Sequence, residues 1–180
     1  MIIHTTGLAG LVIVEGVRHE DPRGFFVRLH DPDEFAAHGY PFQPVQTSLS
    51  HNIKAGTLRG LHWQSAPKAE TKLVRVVRGS ILDVCVDIRP ESPTFCRWFG
   101  VELSAEAGQA LLIGPGIAHG FITHESDTDV LYQISPGYSA ECTSGARWDD
   151  PAFGIDWGQT PVVISDRDQS FPPFHTRQET

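Results

Sequence analysis

The sequence predicts an all-β sandwich or barrel with one or a few short helices, on three observations. Runs rich in Val, Ile and Leu are short, Gly, Pro, Asn or Asp punctuates the gaps between them, and a single stretch carries good helix signals. The clearest runs are Leu73 to Val77, Ser80 to Ile88, Trp98 to Leu103, Ala110 to Ile113 and Val130 to Ser135.

From the amino end, the first predicted element is the helix. Asp31 can cap it, Pro32 suits its first position, Glu34 completes a capping box and Gly39 can end it. Further on, alternation along Ile81 to Ile88 puts Leu82, Val84, Val86 and Ile88 on one face and Asp83, Cys85 and Asp87 on the other. The first face is core. The second is either solvated or turned into a barrel that holds a polar ligand, and periodicity does not separate the two.

At 180 residues, 19.8 kDa and 40% hydrophobic content, the chain suits one domain spanning 1–180, with a frayed tail from about 174. A net charge of -8 without a basic run argues against nucleic-acid binding, since no cation cluster is present to release counterions. A small anionic ligand needs only local arginines. The apolar start, MIIHTTGLAGLVIVEG, has neither a basic leader nor the length to span a membrane, so a cytoplasmic protein is expected. Cys85, Cys96 and Cys142 lack paired spacing, and no disulfide or metal site is expected from them.

The segment Gly56 to Gln64, GTLRGLHWQ, gathers an arginine, a histidine and a glutamine in a strand-like run. Arg59 and His62 have opposite parity, so both can serve one cavity only if a bulge or twist at Gly60 re-aims the chain. A second histidine, His119, follows the turn Gly114-Pro115-Gly116.

These stretches, with DPRGFF (Asp21 to Phe26), KLVRVVRGSILDVCVDIR (Lys72 to Arg89), SPTF (Ser92 to Phe95), PGIAHGF (Pro115 to Phe121), VLYQ (Val130 to Gln133), RWDDPAFGIDW (Arg147 to Trp157) and SDRD (Ser165 to Asp168), resemble the dTDP-4-dehydrorhamnose 3,5-epimerase family of the cupin superfamily. The resemblance runs in order from about Gly7 to Pro173. It implies a cupin jelly-roll barrel, a homodimer, no metal or other cofactor, and a nucleoside-diphosphate 4-keto sugar as substrate. By it His62 is the base and Asp168 the carboxylate that orients it, with Asp83 the second choice. Lys72 faces the C4 oxygen, and Tyr132 returns a proton to the opposite face. Arg23 and Arg59 grip the pyrophosphate, and Phe26, Gln46, His119, Tyr138 and Arg167 are further substrate contacts.

The chain departs from the family pattern at Arg28, Ser48, Thr143, Gly114, Ile117 and Gln133. The first three bear on the nucleotide and leave dTDP, CDP and GDP open; the others bear on whether C3, C5 or both invert. Rival readings are a metal-dependent cupin oxygenase or isomerase using His62, Gln64, Glu70 and His119, a non-catalytic sugar-nucleotide binder, and a 3,4-ketoisomerase. Gln64 beside an imidazole is a poor ligand, and a mere binder has no use for His62, Lys72, Tyr132 and Asp168 together.

Overall fold

The computed structural model describes residues 1–175. Its strands are β1 (Ile2–Thr5), β2 (Leu11–Glu15), β3 (Arg18–Asp21), β4 (Gly24–Val27), β5 (Gln46–Asn52), β6 (Leu58–Gln64), β7 (Thr71–Arg78), β8 (Ser80–Asp87), β9 (Trp98–Ser104), β10 (Ala110–Ile113), β11 (Ile117–Thr123), β12 (Thr128–Ser135) and β13 (Thr143–Gly145). Two short helices, α1 (Pro32–Ala37) and α2 (Asp166–Gln169), complete the regular structure with one 3-10 turn at Ala140–Cys142. A six-stranded sheet in the order β1-β2-β10-β7-β12-β5 faces a five-stranded sheet in the order β13-β6-β11-β8-β9, and β3-β4 form a separate hairpin. Every pairing between these strands is antiparallel. This is the all-β class that the short, punctuated strands predict, with the jelly-roll architecture that the resemblance implies.

The strand period sorts residues into three apolar layers. Between the sheets lie Leu11, Val74, Val76, Ile81, Cys85, Leu111, Phe121 and Val130. Outside the five-stranded sheet, Leu58, Val84, Val86 and Ile122 pack against Phe153 and Trp157 of the C-terminal segment. Outside the six-stranded sheet, Val12, Val14, Leu73 and Leu112 pack against Phe35 of α1 and Phe42. Each fully buried large side chain contributes about 2 kcal/mol. Asp83, Cys85 and Asp87 are all fully buried, so the polar face of β8 is turned inward rather than solvated.

The helix forms where predicted: Asp31 accepts from the N–H groups of Asp33 and Glu34, and Gly39 follows its end at φ +83°. Glu34 does not close a capping box, because its carboxylate pairs with the terminal ammonium of Met1. Helix α2 was not predicted. It is a four-residue turn capped by Ser165, too short to carry a periodic signal.

The SPTF stretch has a local structural role. Ser92 and Thr94 donate to Asp87, Thr94 at 2.6 Å, beside the Arg89 guanidinium at 2.7 Å. Burial pushes the Asp87 carboxyl up, but these hydrogen bonds prevail and hold it far below the usual carboxylate range. Of the tail expected to fray, 176–180 lie outside the described residues. Phe174 does not fray: its N–H donates to Asp150 at 2.7 Å and its ring lies 4.8 Å from Phe153.

Candidate active site

A cavity of about 690 Å³ opens at one end of the two facing sheets, and His62 lies on its wall. The bulge required by the parity of Arg59 and His62 is present. Opposite β11, His62 pairs with His119 and Arg59 with Phe121, so two residues of β6 lie across from the single Gly120. Gly60 adopts φ +124°, and a Cβ there would sit 2.5 Å from the Cα of Gly120. Only glycine fits.

The extra residue frees backbone donors, and both are used. The Leu61 N–H donates to the Ala146 carbonyl at 3.0 Å, and the Gly60 N–H to Asp168 Oδ2 at 3.1 Å. Asp168 Oδ1 lies 2.8 Å from His62 Nε2. The carboxylate reaches this place because Val162 and Val163 are tied to Gly56 and Leu58 by backbone hydrogen bonds, which set α2 against β6. Burial pushes the Asp168 carboxyl up; hydrogen bonds from His62 and the Gly60 N–H outweigh it and leave the group below its ordinary value. The His62 side chain is 35% exposed towards the cavity while Asp168 behind it is 6% exposed. The Phe171 ring packs against the imidazole at 6.0 Å.

From the facing sheet come Lys72 on β7 and Tyr132 on β12, both lining the same cavity. Lys72 Nζ lies 2.7 Å from Glu70 Oε1 and 3.4 Å from the His62 carbonyl oxygen. The Tyr132 ring stands edge-on to His119 at 6.0 Å. Its phenol is pushed well up by burial and by the Asp83 carboxylate, against a weaker opposing pull from Arg59. Asp83 does not orient His62; it holds His119 Nε2 at 2.9 Å, a second histidine-aspartate pair almost wholly removed from solvent.

At the mouth, Arg59 Nε donates to Asn52 Oδ1 at 2.8 Å and its Nη2 to the His51 carbonyl at 3.3 Å, which hold the guanidinium over the cavity. Asn52 is itself clamped, its amide donating to the Thr128 and Ser50 carbonyls. Gln46, Tyr138 and Arg167 also line the cavity. Gln46 Oε1 and Gln64 Oε1 accept the N–H groups of Tyr138 and Ser139, so two glutamines fasten the loop that carries the exposed Tyr138 ring.

Two expected contacts are elsewhere. Arg23 and Phe26 lie on the β3-β4 hairpin, whose strands pair only with each other, and neither lines the cavity. Arg23 is 90% exposed in its side chain and paired with Asp21, and Phe26 is 69% exposed. Within one chain they cannot contribute to the site. The four donors of the metal-cupin reading are otherwise engaged: His62 with Asp168, His119 with Asp83, Glu70 with Lys72, and Gln64 with the backbone. Among the described residues no three His, Cys, Asp or Glu side chains form a metal-binding group.

Sequence reading missed the structural parts of the site: Glu70 beside Lys72, Asn52 beside Arg59, and Phe171 against His62. The first had a signal, since residues two apart in an extended chain share a face. The others are long-range contacts without one.

Residues 5–176 match the family described as dTDP-4-dehydrorhamnose 3,5-epimerase. The chain is 39% identical over 173 residues to the dTDP-4-dehydrorhamnose 3,5-epimerase of Sinorhizobium fredii, covering 96% of this chain and 89% of that one. It is 34% identical over 170 residues to the dTDP-4-dehydrorhamnose 3-epimerase of Streptomyces niveus, covering 94% and 82%. The crystal structure of the Bacillus anthracis 3,5-epimerase with TDP and PPi bound superposes with a TM-score of 0.93 at 39% identity, covering 96% and 99%. With a jelly roll whose cavity sets a histidine-aspartate pair against a lysine and a tyrosine from the opposing sheet, the chain belongs to the dTDP-4-dehydrorhamnose 3,5-epimerase family.

Proposed function

We propose that this protein, read as a single epimerase domain, inverts C3, C5 or both of a dTDP-linked 4-keto-6-deoxy sugar, with His62 as base and Tyr132 as acid. The observation that carries the reading is the supply of these groups from opposing sheets, His62 from β6 and Tyr132 from β12, into one cavity. Inversion at carbon needs proton removal on one face and return on the other, and a base and acid on facing walls meet that need.

The C4 ketone acidifies the hydrogens at C3 and C5. His62 Nδ1, the ring nitrogen left free by the Nε2–H that donates to Asp168, would take one as its electron pair moves through C4 to the oxygen, and the Lys72 ammonium would stabilise that enolate. Tyr132 then protonates the same carbon from the other face and the ketone reforms. Exchange with solvent returns a proton to Tyr132 and removes one from His62. The buried Tyr132 phenol is neutral and so carries the proton to be returned, although the same burial makes it a weaker acid than a free phenol. Arg59 and Arg167 supply cationic forks for the diphosphate, and Tyr138 a ring face at the mouth for the base. The dTDP-linked substrate of the Sinorhizobium relative and the TDP bound in the Bacillus structure favour thymidine over the other nucleotides.

Arg23 and Phe26 fit this reading if the protein is a homodimer in which each hairpin reaches into the site of its partner. Ile2, Phe25, Leu29 and Val77 form an exposed apolar patch around the hairpin. Beneath it the Arg75 guanidinium is pushed down to about 10 by burial, and its Nε has no hydrogen-bond partner among the described residues. A second copy would cover the patch.

The test is NMR detection of deuterium uptake from heavy water into C3 and C5 of dTDP-, CDP- and GDP-linked 4-keto-6-deoxy sugars. Uptake and inversion with the dTDP sugar are expected, and folded protein that exchanges none of them would refute the reading.

A further inference from the structure

We propose that Glu70 is a positioning residue for catalysis: its carboxylate holds the Lys72 ammonium so that one N–H points at the C4 oxygen of the substrate. The inference rests on the role of Lys72 proposed above.

Glu70 immediately precedes β7, and extended geometry places its side chain on the same face as that of Lys72. Both are almost entirely buried, Glu70 9% and Lys72 6% exposed, and both line the cavity. An ammonium has three donors on a flexible four-carbon stem. Glu70 Oε1 takes one at 2.7 Å, and the His62 carbonyl lies 3.4 Å away on another side. Two fixed acceptors define the direction of the third N–H, which is left for the cavity.

Charge points the same way. A lone ammonium buried this deeply is costly, and a carboxylate in contact offsets the cost. The resting pair is neutral overall, and the enolate that forms on substrate meets a cation already in place. The imidazole of His62 is held separately by Asp168, so loss of Glu70 should disturb the cation and leave the base oriented.

The measurement is the rate of deuterium uptake into a dTDP-linked 4-keto-6-deoxyhexose, with the affinity for dTDP taken by calorimetry. Glu70→Ala is expected to lower kcat about 100-fold, the scale of a misplaced catalytic group. KM and the Kd for dTDP should stay within about threefold, since only enolate stabilisation is lost. Glu70→Gln keeps the acceptor but not the charge and is expected to lose about tenfold, clearly less than Glu70→Ala. In a Lys72→Met background Glu70→Ala should cost no more than about twofold.

Wild-type kcat in Glu70→Ala, equal loss in Glu70→Gln, or a further loss without Lys72 would overturn the assignment. Should Glu70→Ala not fold, Glu70→Asp withdraws the carboxylate by one methylene and should lose about tenfold in kcat with unchanged dTDP binding; full activity there overturns it as well. A wild-type protein that exchanges nothing refutes the reading of the whole site, and this inference with it.

Discussion

His62 is held by one contact of each kind that its proposed role as base needs: an acceptor behind it, a ring beside it and open cavity in front. Replacing it with alanine should abolish deuterium uptake at both carbons, whereas Tyr132→Phe, which keeps the base and removes the acid, should suppress inversion far more than uptake. Comparison of product stereochemistry with deuterium content by NMR separates the two, and equal loss of both signals in Tyr132→Phe would contradict its role. Asp168→Asn should lower kcat about 1000-fold or more, because an amide cannot hold the imidazole as a carboxylate does. Folding depresses the Asp168 pKa. Its stabilising contribution is therefore complete above the ordinary carboxylate value of about 3.9 and fades as pH falls through the lower folded value. Between about pH 6 and about pH 2, the melting temperature of wild type should fall more steeply than that of Asp168→Asn.

Strand β6 decides whether Arg59 and His62 belong to one site. In a regular strand they would point to opposite faces; the extra residue at Gly60 puts both on the cavity wall. Gly60→Ala forces a Cβ against the Gly120 backbone in a left-handed conformation. A loss of about 2–4 kcal/mol in denaturant unfolding is expected, with loss of exchange activity even in the cold, where the variant remains folded. At the end of β5, Asn52 braces Arg59 without reaching the cavity itself. Asn52→Ala should raise KM for the nucleotide sugar about tenfold with kcat little changed, as for a group that aids binding rather than the chemical step. The need for a bulge was legible from parity alone. Its partners were not, since Gly120, Ala146 and Asp168 are distant in the chain and nothing in a strand pattern records which donor they will meet.

Across the whole molecule, the hairpin β3-β4 is the part whose position a single chain leaves unexplained. The homodimer proposed above allows a complementation test: one protomer carries His62→Ala with an intact hairpin, the other Arg23→Ala and Phe26→Ala with an intact cavity. Each is inactive or weak alone. After mixing and exchange of subunits, about a quarter of wild-type activity should return, because half the dimers are mixed and each mixed dimer has one complete site. No recovery would place Arg23 and Phe26 outside the partner's site.

By itself the sequence determined the strand-rich class, the N-terminal cap of α1 and the two faces of β8, because each of these depends on neighbours within a few positions; the candidate acid, base and cation residues came instead from the family resemblance of its motifs. Tertiary structure alone decided that the polar face of β8 lies inside the barrel, that Asp83 meets His119, that Glu70 meets Lys72, and that Arg23 and Phe26 stand away from the cavity of their own chain. The physical reason is one of range. Backbone periodicity and capping are local, whereas a hydrogen bond between residues 62 and 168 exists only after two sheets have packed and the C-terminal segment has been tied to the strand it covers.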